Sequence, residues 1–228
     1  MQTPFSQTFQ EPLEIQTSAT PSCSIIWLHG LGANGHDFEA IVPELTLPES
    51  LGVRFIFPHA PTMRVTINGG ISMPAWYDII SVDLDRKVDT DQLVNSARFV
   101  HQLINKEIER GIPAEKIVLA GFSQGGAVVY EAGLSFDKPL AGVMALSTYL
   151  ATAASVERHP SNSNLPFFIA HGEQDDIVSE SLGQDAKNIL GQWGYPNEYH
   201  RYPMAHSVCL EEINDISAWL VSVLSKES

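Results

Sequence analysis

The chain has 228 residues, of which 27 are Asp or Glu and 13 are Lys or Arg, so its formal net charge is −14. A chain of this length can bury roughly 70 to 75% of its unfolded surface, which is enough for a full core without disulfides or metals. We therefore expect a single domain over residues 1–228. An apolar content of 44% excludes a disordered chain, and the negative charge disfavours nucleic acid or an anionic membrane as a partner.

The longest apolar runs, such as IVLAGF, have only the length of a strand, whereas a helix that crosses a bilayer needs about 18 residues. We therefore expect no integral membrane segment. Residues 1–16 have neither a basic start nor an apolar stretch, so no signal peptide is indicated and the cytoplasm is the expected location. Cys23 and Cys209 form no motif and are expected to be small buried residues.

Six short apolar runs alternate with stretches of helical period, which predicts an α/β fold with a mostly parallel sheet and helices on both faces. Because most of the runs are apolar throughout, both faces of these strands are expected to be covered. The predicted strands are 24–29, 53–58, 116–122, 141–147, 166–172 and 197–202. The predicted helices are 36–45, 90–110, 125–135, 179–193 and 209–225.

The helix at 90–110 has the clearest end signals. Asp89 and Gln92 have the spacing of a capping box, and Gly111 can adopt the left-handed conformation that ends a helix. By contrast, residues 58–88 show no helical period, and Asn68-Gly69 is typical of a hairpin turn. An irregular stretch of this length inside a compact domain predicts a substrate-binding loop with a hairpin.

Residues 121–125, Gly-Phe-Ser-Gln-Gly, form a GxSxG pattern between a predicted strand and a predicted helix. The letters alone are a weak signal, since an ordinary Gly-rich turn can carry them. A serine on a sharp turn from strand to helix, however, is strained and has its hydroxyl exposed. Ser123 is therefore a candidate nucleophile, which requires a histidine base and an acid that orients the histidine.

In hydrolases with this order of elements, the acid follows a later strand and the histidine follows a strand later still. Glu173, Asp175 and Asp176 follow the predicted strand 166–172, and their position does not choose among them. His206 follows the last predicted strand and precedes the last helix, as the base requires. The other histidines do not fit the position of the base: His29, His36, His59, His101, His159, His171 and His200.

The segment HGLGANG (29–35) contains a GxGxxG pattern, which has two possible uses. A dinucleotide site would need an acidic residue at the end of the next strand, but that strand ends in FPH (57–59). The alternative is an oxyanion hole made by the backbone N–H groups of Leu31 and Gln124. No cluster of residues has the spacing of metal ligands, so we expect neither a cofactor nor a metal.

Six segments occur in the order LHGLGANGHDF (28–38), FPHAP (57–61), MPAWYDI (73–79), GFSQGGA (121–127), HGEQDDIV (171–178) and MAHSV (204–208). On these segments, the chain resembles the phospholipase/carboxylesterase family of α/β-hydrolases, which includes acyl-protein thioesterases and small carboxylesterases. The resemblance extends over about residues 24–220.

The resemblance implies an α/β-hydrolase fold and a role for each matching residue. It implies that Ser123 is the nucleophile, His206 the base and Asp175 the acid, since the family's acid is the third residue after HG. It also implies that the backbone N–H groups of Leu31 and Gln124 form the oxyanion hole. The loop carrying Met73 and Trp76 is implied to line the acyl groove, although the aromatic residues of this loop could equally belong to the core.

Only about twenty residues separate the predicted strands 141–147 and 166–172, so we expect no cap domain and an open site. The sequence predicts a serine carboxylesterase that forms an acyl-enzyme, with acyl-protein thioesterase or lysophospholipase activity of the same site as the alternative. The expected partner is an ester or thioester substrate, either a small molecule or an acylated protein. A homodimer is compatible with these residues, which do not determine the oligomeric state. A non-catalytic binding protein is disfavoured by the three candidate site residues at strand ends.

Overall fold

The computed structural model describes residues 9–82 and 86–225, which form eleven strands and four α-helices. The strands are β1 Leu13–Gln16, β2 Cys23–Leu28, β3 Val53–Phe57, β4 Thr62–Val65, β5 Ile71–Pro74, β6 Ile79–Ser81, β7 Lys87–Val88, β8 Ile117–Phe122, β9 Gly142–Leu146, β10 Phe167–Gly172 and β11 Asn197–Tyr202. The helices are α1 Thr90–Glu109, α2 Gln124–Ser135, α3 Glu180–Gln192 and α4 Leu210–Leu224.

Seven of the strands form the central sheet, in the order β1-β3-β2-β8-β9-β10-β11. Only β1 is antiparallel to its neighbour within this sheet, so the expected mostly parallel sheet is confirmed. The six predicted strands are present with ends shifted by at most one residue. The sequence analysis missed β1, a half-buried strand of four residues at the sheet edge, because it is too short to show a clear hydrophobic pattern.

Helices cover both faces of the sheet, as predicted. Helices α1, α2 and α3 pack on one face and contribute Val100, Val128 and Leu190 to its core. The other face is covered by α4, with Trp219, and by a 3₁₀-helix that includes Ile41. The strands β2, β3, β8, β9 and β10 are therefore buried on both sides, which explains their continuous apolar sequences.

Two details of the predicted helices differ from the structure. The segment 36–45 contains only the 3₁₀-helix Glu39–Glu44, since Pro43 inside it has no N–H for an α-helical hydrogen bond. The capping box is half formed. Asp89 accepts the Gln92 N–H at 3.0 Å, but the Gln92 side chain accepts the N–H of Asp78 at 2.8 Å instead of returning to Asp89.

The segment 58–88 contains two hairpins, β4–β5 and β6–β7, and its residues 83–85 lie outside the described residues. The hairpin around Asn68-Gly69 is confirmed, but these two residues are only part of a longer connection. Val65 pairs with Ile71, so residues 66–70 form the connection. Thr66 leaves the strand because its N–H and hydroxyl donate to the carboxylate of Asp78 at 2.7 and 2.6 Å.

The connection between β9 and β10 contains one 3₁₀-turn, Pro160–Asn162, and no inserted domain. The expected absence of a cap domain is therefore confirmed, and the carboxyl ends of the parallel strands are open to a ligand. Within residues 9–82 and 86–225, no helix has the length and apolar character needed to cross a bilayer.

Candidate active site

Ser123 lies on the turn between β8 and α2 in a strained conformation, with φ 53° and ψ −118°. Such a conformation costs a non-glycine residue about 1–3 kcal/mol and persists only where the surroundings hold it. Here the end of β9 provides the support. The Ser123 N–H donates to the carbonyl of Leu146 at 2.9 Å, and its carbonyl accepts the hydroxyl of Thr148 at 2.6 Å.

The glycines after Ser123 allow α2 to approach the sheet closely. A Cβ on Gly125 would lie 2.6 Å from the carbonyl oxygen of His29, and one on Gly126 would lie 2.5 Å from Cγ2 of Thr148. Both distances are too short for any side chain. The first turn of α2 can therefore pack against the ends of β2 and β9 only with glycine at these positions.

Asp175 and His206 are joined by a hydrogen bond of 2.7 Å between Oδ2 and Nδ1. The other carboxylate oxygen of Asp175 accepts the N–H groups of Ile177 and Val178 at 3.0 and 2.8 Å. Asp175 is buried, whereas Asp176 is exposed on the following turn. The geometry thus selects Asp175 as the partner of His206, in a carboxylate orientation fixed by two backbone donors.

The loop carrying Asp175 is bound to the loop carrying His206. The N–H of Glu173 donates to the carbonyl of Tyr202 at 2.9 Å, and that of Gln174 donates to Met204 at 3.0 Å. Glu173, the third acidic candidate, is exposed and its carboxylate faces Arg201 at 4.0 Å.

His206 also lies next to the serine turn, since its ring centroid is 4.7 Å from that of Phe122. The ends of β8, β10 and β11 therefore bring the three candidate residues to one edge of the sheet.

His171 is a further residue of this site, which the sequence analysis set aside. It is fully buried, and its Nε2 lies 2.8 Å from the carbonyl of Val178 and 3.5 Å from Oδ2 of Asp175. Burial lowers its pKa, so the ring is neutral near pH 7 and donates from Nε2 to the carbonyl. Through this bond to Val178, the His171 ring stabilises the loop that carries Asp175. In the sequence, His171 could have been identified by its position directly before Gly172, the last residue of β10, after which the Asp175 loop begins.

The segment after β2 is held by a buried histidine, His29. Its Nε2 accepts the N–H of Ala60 at 3.1 Å, which places the proton on Nδ1, where it donates to the Gly30 carbonyl at 2.7 Å. Burial lowers the pKa of His29 to about 4, so this neutral form persists across the physiological range. The N–H of Gly32 is bound to Pro74 at 2.9 Å. The backbone on both sides of Leu31 is therefore fixed.

Trp76 was expected to line the acyl groove, but it lies in the core. Its backbone N–H donates to Oε1 of Gln124 at 2.8 Å, and its indole N–H donates to the carbonyl of His29 at 2.9 Å. The Gln124 amide in turn donates to the carbonyl of Tyr77 at 2.7 Å. The indole is fully buried because it fills the space between the two segments that carry the predicted oxyanion donors. Trp76 thereby links Gln124 to the loop of Leu31.

A groove of about 340 Å³ opens beside Ser123, and its lining is half aliphatic and half polar, with Arg86 and Asp176 as its charged side chains. Met73 is half-buried beside it, where its sulfur accepts the Asn68 amide at 3.2 Å, and it does not belong to the lining. The lining residues are Leu31, Ile67, Asn68, Ile79, Val82, Arg86, Ser123, Gln124, Tyr149, Asp176, Ile177 and Val178. The described part of the chain contains no group of three or more His, Cys, Asp or Glu residues that could hold a metal ion.

Comparison with known proteins gives matches over most of the chain. Residues 12–224 match the family model described as Phospholipase/Carboxylesterase. An acyl-protein thioesterase 1 of Neurospora crassa is 40% identical over 226 residues, which cover 94% of this chain and 92% of that protein. The acyl-protein thioesterase 1 of Saccharomyces cerevisiae is 32% identical and covers 89% of this chain and 93% of its own length.

Solved structures agree with these matches. The crystal structure of Arabidopsis thaliana SOBER1 superposes with a TM-score of 0.82 at 29% identity, covering 89% of this chain and 99% of that one. The crystal structure of Zea mays acyl-protein thioesterase 2 also gives a TM-score of 0.82, at 26% identity, and covers 93% of this chain and 98% of its own.

Proposed function

The chain belongs to the phospholipase/carboxylesterase family, whose members are serine hydrolases, and from this premise we propose that it cleaves carboxylic esters of acyl chains. Ser123 is the nucleophile, His206 the base and Asp175 the acid. The observation that carries the proposal is the 2.7 Å hydrogen bond between His206 and the buried Asp175, beside a serine in a strained turn. This arrangement supports nucleophilic catalysis, because a serine hydroxyl needs a base and the base needs an oriented ring.

The reaction proceeds in two halves. Because Nδ1 of His206 is bound to Asp175, Nε2 is the nitrogen that takes the Ser123 proton as the serine oxygen attacks the acyl carbonyl. The tetrahedral intermediate collapses and His206 gives this proton to the departing alcohol or thiol, which leaves an acyl-enzyme. Water then attacks the acyl carbon, His206 accepts a proton from it, and the carboxylic acid is released as Ser123 regains its proton. The Asp175 carboxylate stabilises the imidazolium in both halves.

The backbone N–H groups of Leu31 and Gln124 stabilise the oxyanion that forms in each half. Gln124 is the first residue of α2, so its N–H has no acceptor within the helix. A donor of this kind contributes on the order of 3 to 4 kcal/mol to the transition state. The hydrogen bonds of Trp76 to Gln124 and His29 support this role, because they hold both donors in place before substrate binds.

The substrate class is an acyl ester or thioester with a variable leaving group. The aliphatic side chains that line the groove beside Ser123 support an acyl chain as the bound portion, and the absence of a cap supports a bulky leaving group such as a protein. The second candidate is therefore acyl-protein thioesterase or lysophospholipase activity of the same site, which the names of the curated relatives favour for the protein thioester. The chemistry needs only water besides the chain's own residues.

We also assign the protein to the cytoplasm, an assignment supported by two unpaired cysteines.

The test is kcat/KM for p-nitrophenyl esters from acetyl to palmitoyl and for an S-palmitoylated peptide, with Ser123→Ala as the blank. We expect turnover by the wild type and a loss of several orders of magnitude in Ser123→Ala. Its circular dichroism spectrum should be unchanged, because the hydroxyl is not needed for the fold. Substantial turnover by the folded variant would contradict the assignment of Ser123. No turnover of any ester or thioester by the wild type would favour a binding protein.

A further inference from the structure

Arg86 lines the groove and connects two of the segments that form it. It lies on the groove side of the β6–β7 hairpin, and its guanidinium donates to the carbonyl of Ile177 at 2.9 Å, on the loop that carries Asp175. On the way, the guanidinium carbon passes 4.6 Å from the centroid of the Tyr149 ring. One side chain thus connects the hairpin, Tyr149 and the loop that carries Asp175.

The two contacts of Arg86 are with groups that are themselves held in place. The hydroxyl of Tyr149 lies 2.8 Å from that of Tyr77, and the carbonyl of Tyr77 accepts the Gln124 amide at 2.7 Å. Ile177 donates its N–H to Asp175 at 3.0 Å. Because both anchors are fixed, the two contacts hold the guanidinium at the solvent-exposed edge of the groove.

The volume and lining of the groove indicate what this side chain does to a bound chain. At about 340 Å³ the groove is at the lower end of the range of roughly 300–1,000 Å³ that is typical of ligand sites. Leu31, Ile79 and Val178 offer apolar contact to methylene groups. A guanidinium in such a groove ends the apolar surface. A methylene chain packed against it would displace water from the charged group without replacing the lost hydrogen bonds, which costs free energy.

We propose that Arg86 closes the acyl groove and thereby limits the length of acyl chain that the enzyme accepts. This inference rests on the proposed hydrolase function and makes Arg86 a specificity-determining residue of that site. Removal of the side chain frees the neighbouring part of the groove, where the exposed apolar side chains of Val82 and Ile177 lie, so longer acyl chains gain apolar contact while short ones are unaffected.

The experiment compares Arg86→Ala with a matched variant, Arg158→Ala, over p-nitrophenyl esters from acetyl to palmitoyl. Arg158 also lies 4.6 Å from an aromatic ring, that of Trp193, but in a separate cavity of about 330 Å³ that contains neither Ser123 nor His206. Each additional buried methylene can raise kcat/KM by up to about fourfold. We therefore expect the ratio of kcat/KM for the dodecanoyl ester to that for the butanoyl ester to rise about tenfold or more in Arg86→Ala. It should not change in Arg158→Ala.

A second series of acetate esters with alcohols of increasing length locates the effect. We expect Arg86→Ala and the wild type to share one profile in this series, since Arg86 is assigned to the acyl side. An unchanged acyl profile in Arg86→Ala, or a change confined to the alcohol series, would overturn the proposal while leaving the hydrolase function intact. Arg86→Gln, which removes the charge and keeps a polar side chain, should shift the acyl profile in the same direction and guards against misfolding of the alanine variant. Failure of the wild type to hydrolyse any ester would overturn the hydrolase function itself.

Discussion

The indole N–H of Trp76 donates to the carbonyl of His29 at 2.9 Å. The carbonyl belongs to the segment that precedes Leu31, and the backbone N–H of the same tryptophan is bound to the side chain of Gln124. A single buried residue therefore sets the distance between the two proposed oxyanion donors. Since hydrogen-bond donors stabilise an oxyanion only at short range, small displacements at Trp76 should affect catalysis.

Trp76→Phe keeps an aromatic ring but loses the bond to His29. We expect kcat to fall by roughly ten- to a hundredfold, which is less than complete loss of an oxyanion donor, while KM changes little. The matched control is Trp27→Phe, because the Trp27 indole is also buried but its N–H has no hydrogen-bond partner in the described structure. Steady-state kinetics of both variants measure the difference. Equal losses of kcat in the two variants would show that ring volume, not the bond to His29, is responsible.

Asp175→Asn should lower kcat by about 10³–10⁴-fold without unfolding the protein, because the amide no longer stabilises the charged His206 ring. Asp176→Asn is the neighbouring control. Asp176 is exposed and lines the groove, but its carboxylate is not the one bonded to His206, so we expect any effect in KM and a kcat close to that of the wild type. Burst kinetics with a p-nitrophenyl ester would show whether acylation itself is slowed. If Asp176→Asn were the more damaging change, the assignment of the acid would be wrong.

Glu107 lies at the centre of a buried ion-pair network that is remote from the candidate site. Its carboxylate accepts bonds from Ser24 at 2.5 Å, from Arg54 at 2.8 Å and from Arg110 at 2.9 Å. Glu107→Ala leaves the buried Arg54 without its carboxylate, and we expect the free energy of unfolding to fall by about 3–5 kcal/mol. The exposed Glu109 in the same helix supplies the control, Glu109→Ala. Urea unfolding measures stability. An unaltered midpoint for Glu107→Ala would contradict the prediction.

Glu212, in the first turn of α4, should make stability depend on pH. Burial raises its pKa from 4.5 to about 8, the backbone N–H of Cys209 opposes this increase only in part, and the Asp215 carboxylate adds to it. The native state therefore binds more protons than the unfolded state between these two values. The contribution of Glu212 to the free energy of unfolding is present below pH 4.5. It is lost, by up to about 1.4 kcal/mol per pH unit, as the pH rises to 8.

Glu212→Gln removes this titration while nearly preserving the shape of the side chain. We expect the variant to gain stability relative to the wild type as the pH increases from 5 to 8. Urea unfolding at pH 5, 6.5 and 8 gives the comparison. A stability difference that stays constant across this range would mean that Glu212 is ionised in the native state throughout.

Much of the fold could be predicted from local patterns in the sequence. The strands β2, β8 and β10 carry continuous apolar runs because both of their faces are buried, so their positions were visible without the structure. Gly111 after α1 and Gly194 after α3 adopt the left-handed conformations expected at helix ends, with φ of 94° and 86°. Strand β1 was missed and only part of the connection at 66–70 was predicted, because the conformations of both depend on partners far along the chain.

For the candidate site, the order of motifs along the chain selected Ser123 and His206, since strand ends of a parallel sheet meet at one edge. Residue positions alone left Asp175, Asp176 and Glu173 open. Whether a side chain is buried beside the histidine depends on how the loop after β10 turns. The Val178 N–H, which donates to the Asp175 carboxylate, and the Gln174 N–H, which donates to the Met204 carbonyl, fix that turn.

The sequence by itself therefore determined the order of strands and helices and the candidates for chemistry, because hydrophobic period, turn residues and strand ends are local properties. Only the tertiary structure decided that Trp76 lies in the core, that His171 braces the acid loop and that Arg86 reaches Ile177. The physical reason is that a side chain's contacts depend on the three-dimensional packing of segments distant in the chain. Arg86 and Ile177 are 91 positions apart, and no periodicity or spacing in the sequence connects them.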